Sequence, residues 1–289
     1  MDGPTKITFF MIVTDPDIII ADYAVKSYAK IKDIPFKLRI YSNWISIALK
    51  QRYFPAWKKY DFVEIEENNW QLDENKPTNR HLEGPFETMG AIFDRELKKI
   101  DTPYYATVDA DFEILDANFI NIMLAHLDAN PGIIAMSTEY THKKEVYDTY
   151  SNEVIILNER WHTWFCIYKR ESLKCAISHA FHEEIVSSKV RRNDWDCSGY
   201  FQKDLKDTYG YEIAVLDPIY PSSYIHYGAF SKNRELERKN IGLYRILQII
   251  RTRGFFGKRN AISSKFANYW YRIFFGKVDR KHFWPGWGV

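Results

Sequence analysis

Cysteine is scarce in this chain. Cys166, Cys175 and Cys197 are the only three in 289 residues, and no pair has C-x-x-C spacing. A scattered, odd-numbered set excludes a disulfide framework and a zinc-ribbon site, and fits buried thiols in a reducing compartment. No apolar run reaches about 18 residues, so no membrane-spanning helix is expected. Ile7 to Val13 comes nearest to the apolar centre of a signal sequence. It is short, Asp15 and Asp17 follow at once, and no small-residue cleavage site is present, so it reads as a first strand. Internal repeats, low-complexity segments and H-E-x-x-H are missing too. Without a recognised nucleic-acid motif, no nucleic-acid partner is expected.

What the chain does contain supports a substantial core: 46% hydrophobic residues and 17% aromatics over a length that suits one large or two small domains. The net charge of +2 hides a split. Residues 1–231 hold 26 Lys and Arg against 35 Asp and Glu, whereas residues 232–289 hold 14 against 3. Two segments are therefore expected, a main domain over 1–231 and a basic, aromatic tail over 232–289.

Along the main domain, strand and helix patterns alternate. Ile7 to Val13 is followed by a helical pattern over Ile18 to Ile31, a strand at Phe36 to Tyr41, a helix from Trp44 to Arg52, and a strand at Tyr60 to Ile65. Such alternation predicts an α/β fold with a mostly parallel sheet covered by helices on both faces. Ligands of such sheets bind beyond the carboxyl ends of the strands. That rule places Thr14, Asp15, Ser42, Asn43 and Glu66 on one rim. Glu66 to Glu83 is polar and reads as a loop over it. Pro85 then opens a helix with Phe86, Met89, Phe93, Leu97 and Ile100 at helical spacing, stopped at Asp101-Thr102-Pro103.

The next stretch organises the rest. Tyr104 to Val108 is a β-rich apolar run ending in Asp109-Ala110-Asp111. In extended chain, i and i+2 carboxylates point to the same side, and paired hard oxygen ligands suit a divalent cation that keeps phosphate and water as its other ligands. A chain of this length holds on the order of one D-x-D by chance. This one holds two others, Asp15-Pro16-Asp17, which reads as a turn, and Asp194-Trp195-Asp196, which opens a helical pattern and suits a cap. Beyond Asp111, Asp116 caps a helix through Leu127, and Ile133 to Met136 is a strand. Glu139 to Asn152 is polar and reads as mobile. Glu153 to Leu157 and Trp164 to Tyr168 are strands, with a helix near Glu171. A helix with Cys197, Tyr200, Phe201 and Leu205 on its buried face precedes a strand at Glu212 to Leu216. Tyr224 to Asn233 contains Gly228 and reads as a loop closing over a site.

This order of motifs, with Asn193-Asp194-Trp195-Asp196-Cys197 followed by Gly210-Tyr211-Glu212-Ile213, resembles the GT-A fold glycosyltransferases, most nearly the inverting family 2 type. The resemblance spans roughly residues 5 to 231. It implies a GT-A (Rossmann-like) mixed sheet and Mn²⁺ or Mg²⁺ held by Asp109 and Asp111 against the diphosphate of a nucleotide-sugar donor. It implies His226 as a further metal ligand and Asp194 as the catalytic base. Thr14, Asp15, Asn43, Arg80, Asp109 and Ala110 are the residues expected to meet the donor. Asn193 departs from the family, which usually has Glu there, and neither of the first two strands ends in the family's usual nucleobase motif. Each assignment has a plainer counterpart: an N-cap for Asp194, with Asp196 as second candidate for the base; loop packing for His226; a solvated loop for Arg80 and His81. His179 and His182 near Glu183 read as surface residues. Trp161-His162-Thr163-Trp164 lies where similar enzymes bind acceptors, and fits a core equally well.

In the tail, Leu243, Ile246, Leu247 and Ile250 form one helical stripe, and Phe266, Tyr269, Trp270, Ile273 and Phe274 form a second. Basic aromatic amphipathic helices lie in the interface of anionic membranes, and docking on the main domain is the competing reading. The combined expectation is a metal-dependent hexosyltransferase-like enzyme, peripheral on the cytoplasmic face of a membrane. It would pass a sugar from a nucleotide donor to a lipid-linked or cell-envelope glycan, as in polysaccharide biosynthesis. A retaining GT-A enzyme and a non-catalytic membrane-surface protein with this fold are the rivals. A sugar-phosphate nucleotidyltransferase is disfavoured by the lack of a Gly-rich N-terminal loop followed by a basic residue.

Overall fold

A computed structural model describes residues 4–43, 45–67, 89–142, 144–148, 153–157, 160–174, 199–217, 223–227, 239–253 and 261–275. Asp194, Asn193, Asp196, Arg80, His81, His179, His182, Cys175 and Cys197 lie outside these residues, as do residues 228–233.

The first half winds back and forth. Strand β1 (Ile7–Val13) is followed by helix α1 (Ile18–Ser27), β2 (Phe36–Ser42), α2 (Ile47–Trp57), β3 (Val63–Glu67), α3 (Met89–Glu96), β4 (Tyr104–Asp109), β5 (Phe112–Ile114) and α4 (Asn118–Ala129). All seven residues of β1 are buried, as expected for a central parallel strand covered on both faces. Its alternate side chains feed two cores. Phe9, Met11 and Val13 pack with α1, α2 and α4, while Phe10 and Ile12 pack with Ile92, Phe93 and Leu97 on the opposite face. Helix α4 takes Ala117 as its cap residue, and Asp116, expected in that role, sits one residue earlier and accepts the Asn118 N–H at 3.0 Å.

The second half adds β6 (Ile133–Ser137), β7 (Tyr140–Thr141), β8 (Lys144–Asp148), β9 (Glu153–Leu157), β10 (Arg160–Trp161) and β11 (Phe165–Lys169). It continues with α5 (Gly199–Asp207), β12 (Glu212–Val215) and β13 (Tyr224–His226), then the tail helices α6 (Ile241–Arg253) and α7 (Ala261–Phe275). The central sheet has seven strands in the order β12-β6-β11-β4-β1-β2-β3. Only β11 runs against its neighbours β4 and β6; the other pairings are parallel. The expected mixed, mostly parallel α/β sheet flanked by helices is therefore what forms.

Three segments differ from their sequence reading. Much of Glu139 to Asn152 is strand: β7 pairs with β10, and β8 forms an antiparallel hairpin with β9 that sets Val146 opposite Ile155. The charged residues of β8 mask its β-forming Val146 and Tyr147. Tyr224 to His226 is likewise strand, pairing antiparallel with β5. The segment near Glu171 is a 3-10 turn, Arg170–Lys174.

The tail helices pack on the main domain. Tyr244, Leu247 and Phe275 are buried with Ile20, Ile225 and Tyr227. The stripe read on α7 faces mostly outward: Phe266, Tyr269, Ile273 and Phe274 are exposed, Tyr269 at 61%, and Trp270 alone of the five packs partly against the buried cluster, whereas Phe275, outside the stripe, faces inward. Among the described residues no helix is long and apolar enough to cross a membrane.

Candidate metal centre

The chain order reverses between β1 and β4. From β1 it builds outward through β2 to β3, then returns to the other side of β1 with β4. Loops leaving such neighbours diverge and open a crevice at the carboxyl edge. Register fixes what lies there: Ile12 is opposite Asp109, and Val13 is opposite Ser42. Thr14, Asp15, Asn43, Asp109 and Ala110 thus share one rim.

Asp109 is the last residue of β4; Ala110 and Asp111 form the turn into β5. The two carboxylates converge through this turn, with extended chain ending at Asp109. Their meeting point is His226 on β13, whose Nε2 lies 3.4 Å from Asp109 Oδ2 and 3.2 Å from Asp111 Oδ1. One ligand atom from each of Asp109, Asp111 and His226 falls within 4.8 Å of the others, a spacing that could hold a single metal ion.

The chemistry of the set fits a divalent cation. His226 Nε2 is buried and makes no aligned hydrogen bond, which leaves a ring nitrogen turned toward two carboxylate oxygens. Burial works against a charged imidazole, but Asp111 and then Asp109 outweigh it and raise the His226 pKa from 6.5 to about 10. A cation is thus favoured between these groups, whether a proton on the imidazole or a metal ion in its place.

Aromatic and polar neighbours build the surroundings. Trp164 lies against His226 with ring centroids 4.3 Å apart and stacks on His162 at 3.6 Å. The Trp164 carbonyl accepts the Asp109 N–H at 2.9 Å, so the aromatic wall and the first carboxylate are tied together. Trp164 Nε1 is buried without a hydrogen-bond partner. His162 is engaged structurally, with its Nε2 2.6 Å from Thr141 Oγ1. Glu139, just beyond β6 on the same rim, has a carboxyl raised by burial against the pull of His226 and of the Tyr224 hydroxyl. Sequence reading passed over Glu139, although its place two residues past a parallel strand was a usable signal.

Across the rim, Asp15 Oδ1 accepts the Ser46 N–H at 2.8 Å, and Thr14 Oγ1 donates to Asp17 Oδ2. Asn43 is 3% exposed, and both its Oδ1 and the Ser42 Oγ are buried without a hydrogen-bond partner. The structure therefore brings Asp109, Asp111 and His226 together, with Thr14, Asp15, Asn43 and Ala110 along the same edge. Arg80 and Asp194 are outside the described residues.

The carboxylate pair and histidine at a sheet switch point define a candidate divalent-metal site. No protein-family model and no curated protein matches the sequence. Among solved structures, the chain is similar to the mannosyltransferase PcManGT from Pyrobaculum calidifontis in complex with GDP-Man and Mn²⁺. The identity is 11% over 75% of this chain and 56% of that one, with a TM-score of 0.47. It is also similar to S. aureus TarS 1-349 in complex with UDP-GlcNAc, at 16% identity over 59% and 47% of the two chains and a TM-score of 0.39. A third is glucosyl-3-phosphoglycerate synthase from Mycobacterium tuberculosis with Mn²⁺, UDP and glucosyl-3-phosphoglycerate, at 13% identity over 86% and 78% and a TM-score of 0.45. The match thus spans only about half the length of the first two.

Proposed function

We propose that the chain is a metal-dependent glycosyltransferase that moves a sugar from a nucleoside diphosphate donor to an acceptor hydroxyl with inversion at the anomeric carbon. The observation that carries this reading is the convergence of Asp109, Asp111 and His226 at the β1/β4 switch point. These three would hold Mn²⁺ or Mg²⁺. When bound, the ion supplies positive charge that offsets what develops on the departing diphosphate. Thr14, Asp15, Asn43, Arg80 and Ala110 would line the donor, and the unpartnered Oδ1 of Asn43 and Oγ of Ser42 support a polar ligand there. Trp164 would shield the ion from water on the side of His226. Asp194 would accept the proton of the attacking hydroxyl. Inversion requires only that single base.

The acceptor is proposed to be a lipid-linked or cell-envelope glycan, reached from the inner face of a membrane. Support comes from the tail, with 14 Lys and Arg against 3 Asp and Glu over residues 232–289, and from the exposed Phe266, Tyr269, Ile273 and Phe274 of α7. Each near-surface Lys or Arg adds ~1 kcal/mol toward an anionic bilayer. Two measurements test the proposal. Turnover of a panel of nucleotide-sugars with and without Mn²⁺, with the product anomer read by NMR, tests the chemistry. Flotation on anionic liposomes tests the tail: Tyr269→Ser with Phe274→Ser is expected to reduce flotation strongly, and unchanged flotation would remove the membrane assignment.

A further inference from the structure

We propose that Arg245, far away on tail helix α6, is a positioning residue of the metal centre, acting through Glu113. This rests on the metal-site reading above and adds to it a part played by the tail.

Asp111 and His226 are carried by a very small piece of structure. Asp111 leads into β5, His226 ends β13, and these strands share three residue pairs. Two-stranded ribbons of this size are at best marginal alone, so something else must fix the spacing of the two ligands. One support is main chain: the Tyr227 N–H bonds to the Asp111 carbonyl at 3.0 Å. Another is α1, where Ser27 Oγ accepts the Ile114 N–H at 2.9 Å. The third is Glu113, central in β5 and 1% exposed. Its Oε2 accepts the Tyr227 hydroxyl at 2.6 Å, so one carboxylate ties β5, two residues past Asp111, to the residue that follows His226. Arg245 then grips that carboxylate with both prongs, Nε to Oε2 at 2.8 Å and a terminal nitrogen to Oε1 at 2.5 Å.

A fork on both carboxylate oxygens fixes the plane of the carboxyl group, which a single charge would not. With Arg245 gone, Glu113 is a buried carboxylate without its hydrogen-bonded counter-charge, left with the unbonded charge of Lys30. It must turn or draw in water, and either change releases Tyr227, the residue after His226. The metal ligands themselves stay intact and lose only their fixed spacing. Outer partners of metal ligands typically change affinity by about 10–100-fold when removed.

The test is Mn²⁺ affinity by electron paramagnetic resonance on the full chain, measured on folded protein as judged by circular dichroism, for wild type, Arg245→Met, Arg245→Lys and Leu247→Ala. Leu247 is buried on the same helix in the cluster that holds Ile225 and Tyr227, and its aliphatic side chain offers Glu113 no hydrogen bond, so its truncation loosens α6 with the fork in place. The expected result is Mn²⁺ binding weakened about tenfold or more in Arg245→Met, by a smaller factor in Arg245→Lys, and less than twofold in Leu247→Ala. Wild-type affinity in a folded Arg245→Met overturns the proposal and leaves the metal site standing. Equal weakening in Leu247→Ala also overturns it, because helix docking alone would then suffice. If Arg245→Met does not fold, Arg245→Lys decides, and wild-type affinity there overturns the proposal. Absence of Mn²⁺ binding in the wild type sinks the site reading and this inference together.

Discussion

Two D-x-D pairs end adjacent strands of the same sheet, and they have different fates. Asp15 and Asp17 follow β1 in a 3-10 turn, and their oxygens accept hydrogen bonds from Ser46 and Thr14. Asp109 ends β4, one strand away, Asp111 lies in the turn after it, and both converge on a buried imidazole nitrogen. The spacing is identical and so is the rim. What distinguishes them is what lies opposite: at the first pair, the Thr14 hydroxyl and the Ser46 N–H from the segment after β2, and at the second, a ribbon returning from more than a hundred residues later. A carboxylate already satisfied by N–H and O–H donors is a poor metal ligand, whereas one facing a group that needs a cation is a good one.

Substitutions across the pairs should break or sharpen this contrast, and the largest effect belongs to the second. Asp109→Ala is expected to abolish Mn²⁺-dependent turnover and Mn²⁺ binding; retained binding by calorimetry would erase the distinction. The third pair, Asp194 and Asp196, tests whether such spacing can also serve proton transfer. Asp194→Asn should lower the transfer rate by ~10²–10⁴-fold with Mn²⁺ and donor affinity preserved, and full activity would move the role elsewhere.

A subtler effect concerns His226, the partner that the first pair lacks. Its pKa of about 10 in the folded chain lies above its ordinary 6.5, so the folded state binds this proton more tightly than the unfolded one. The resulting stabilisation is present in full below pH 6.5 and is lost as pH rises to about 10. In EDTA, the stability difference between wild type and His226→Gln should therefore shrink across that window, as read from denaturant midpoints. A pH-independent difference would mean the imidazole gains nothing from the two aspartates. The smallest expected effect is that of Asp15→Ala. Loss of its bond to Ser46 should cost about 1 kcal/mol of stability and shift nucleoside diphosphate affinity, with Mn²⁺ affinity unchanged.

The parts of this molecule written in local pattern were legible from the sequence. Continuous burial in β1 and β4, helical spacing in α1 and α4, and the abrupt change from Val108 to Asp109 each involve neighbours in the chain. His226 was reachable by its place after the last sheet strand. The Glu113–Arg245 fork was not, because it joins residues 132 positions apart and each reads alone as an ordinary surface charge. β5 and β13 were missed for a similar reason: three residues are too few for a period, and they become strands only by pairing with each other. In β8, the charged residues outweighed the β-formers that the hairpin sets opposite one another.

The reversed strand β11 also matters for how this rim can change. Its parallel neighbours bring their final residues to the crevice, whereas β11 brings its beginning, with Trp164 immediately ahead of Phe165. Extra chain length placed upstream of that entry, before Arg160, would thicken the lip beside the candidate metal site without shifting any rung of the ladder to β4 or β6. A reversed strand of this kind gives the scaffold a place to trial new guests while its framework stays fixed.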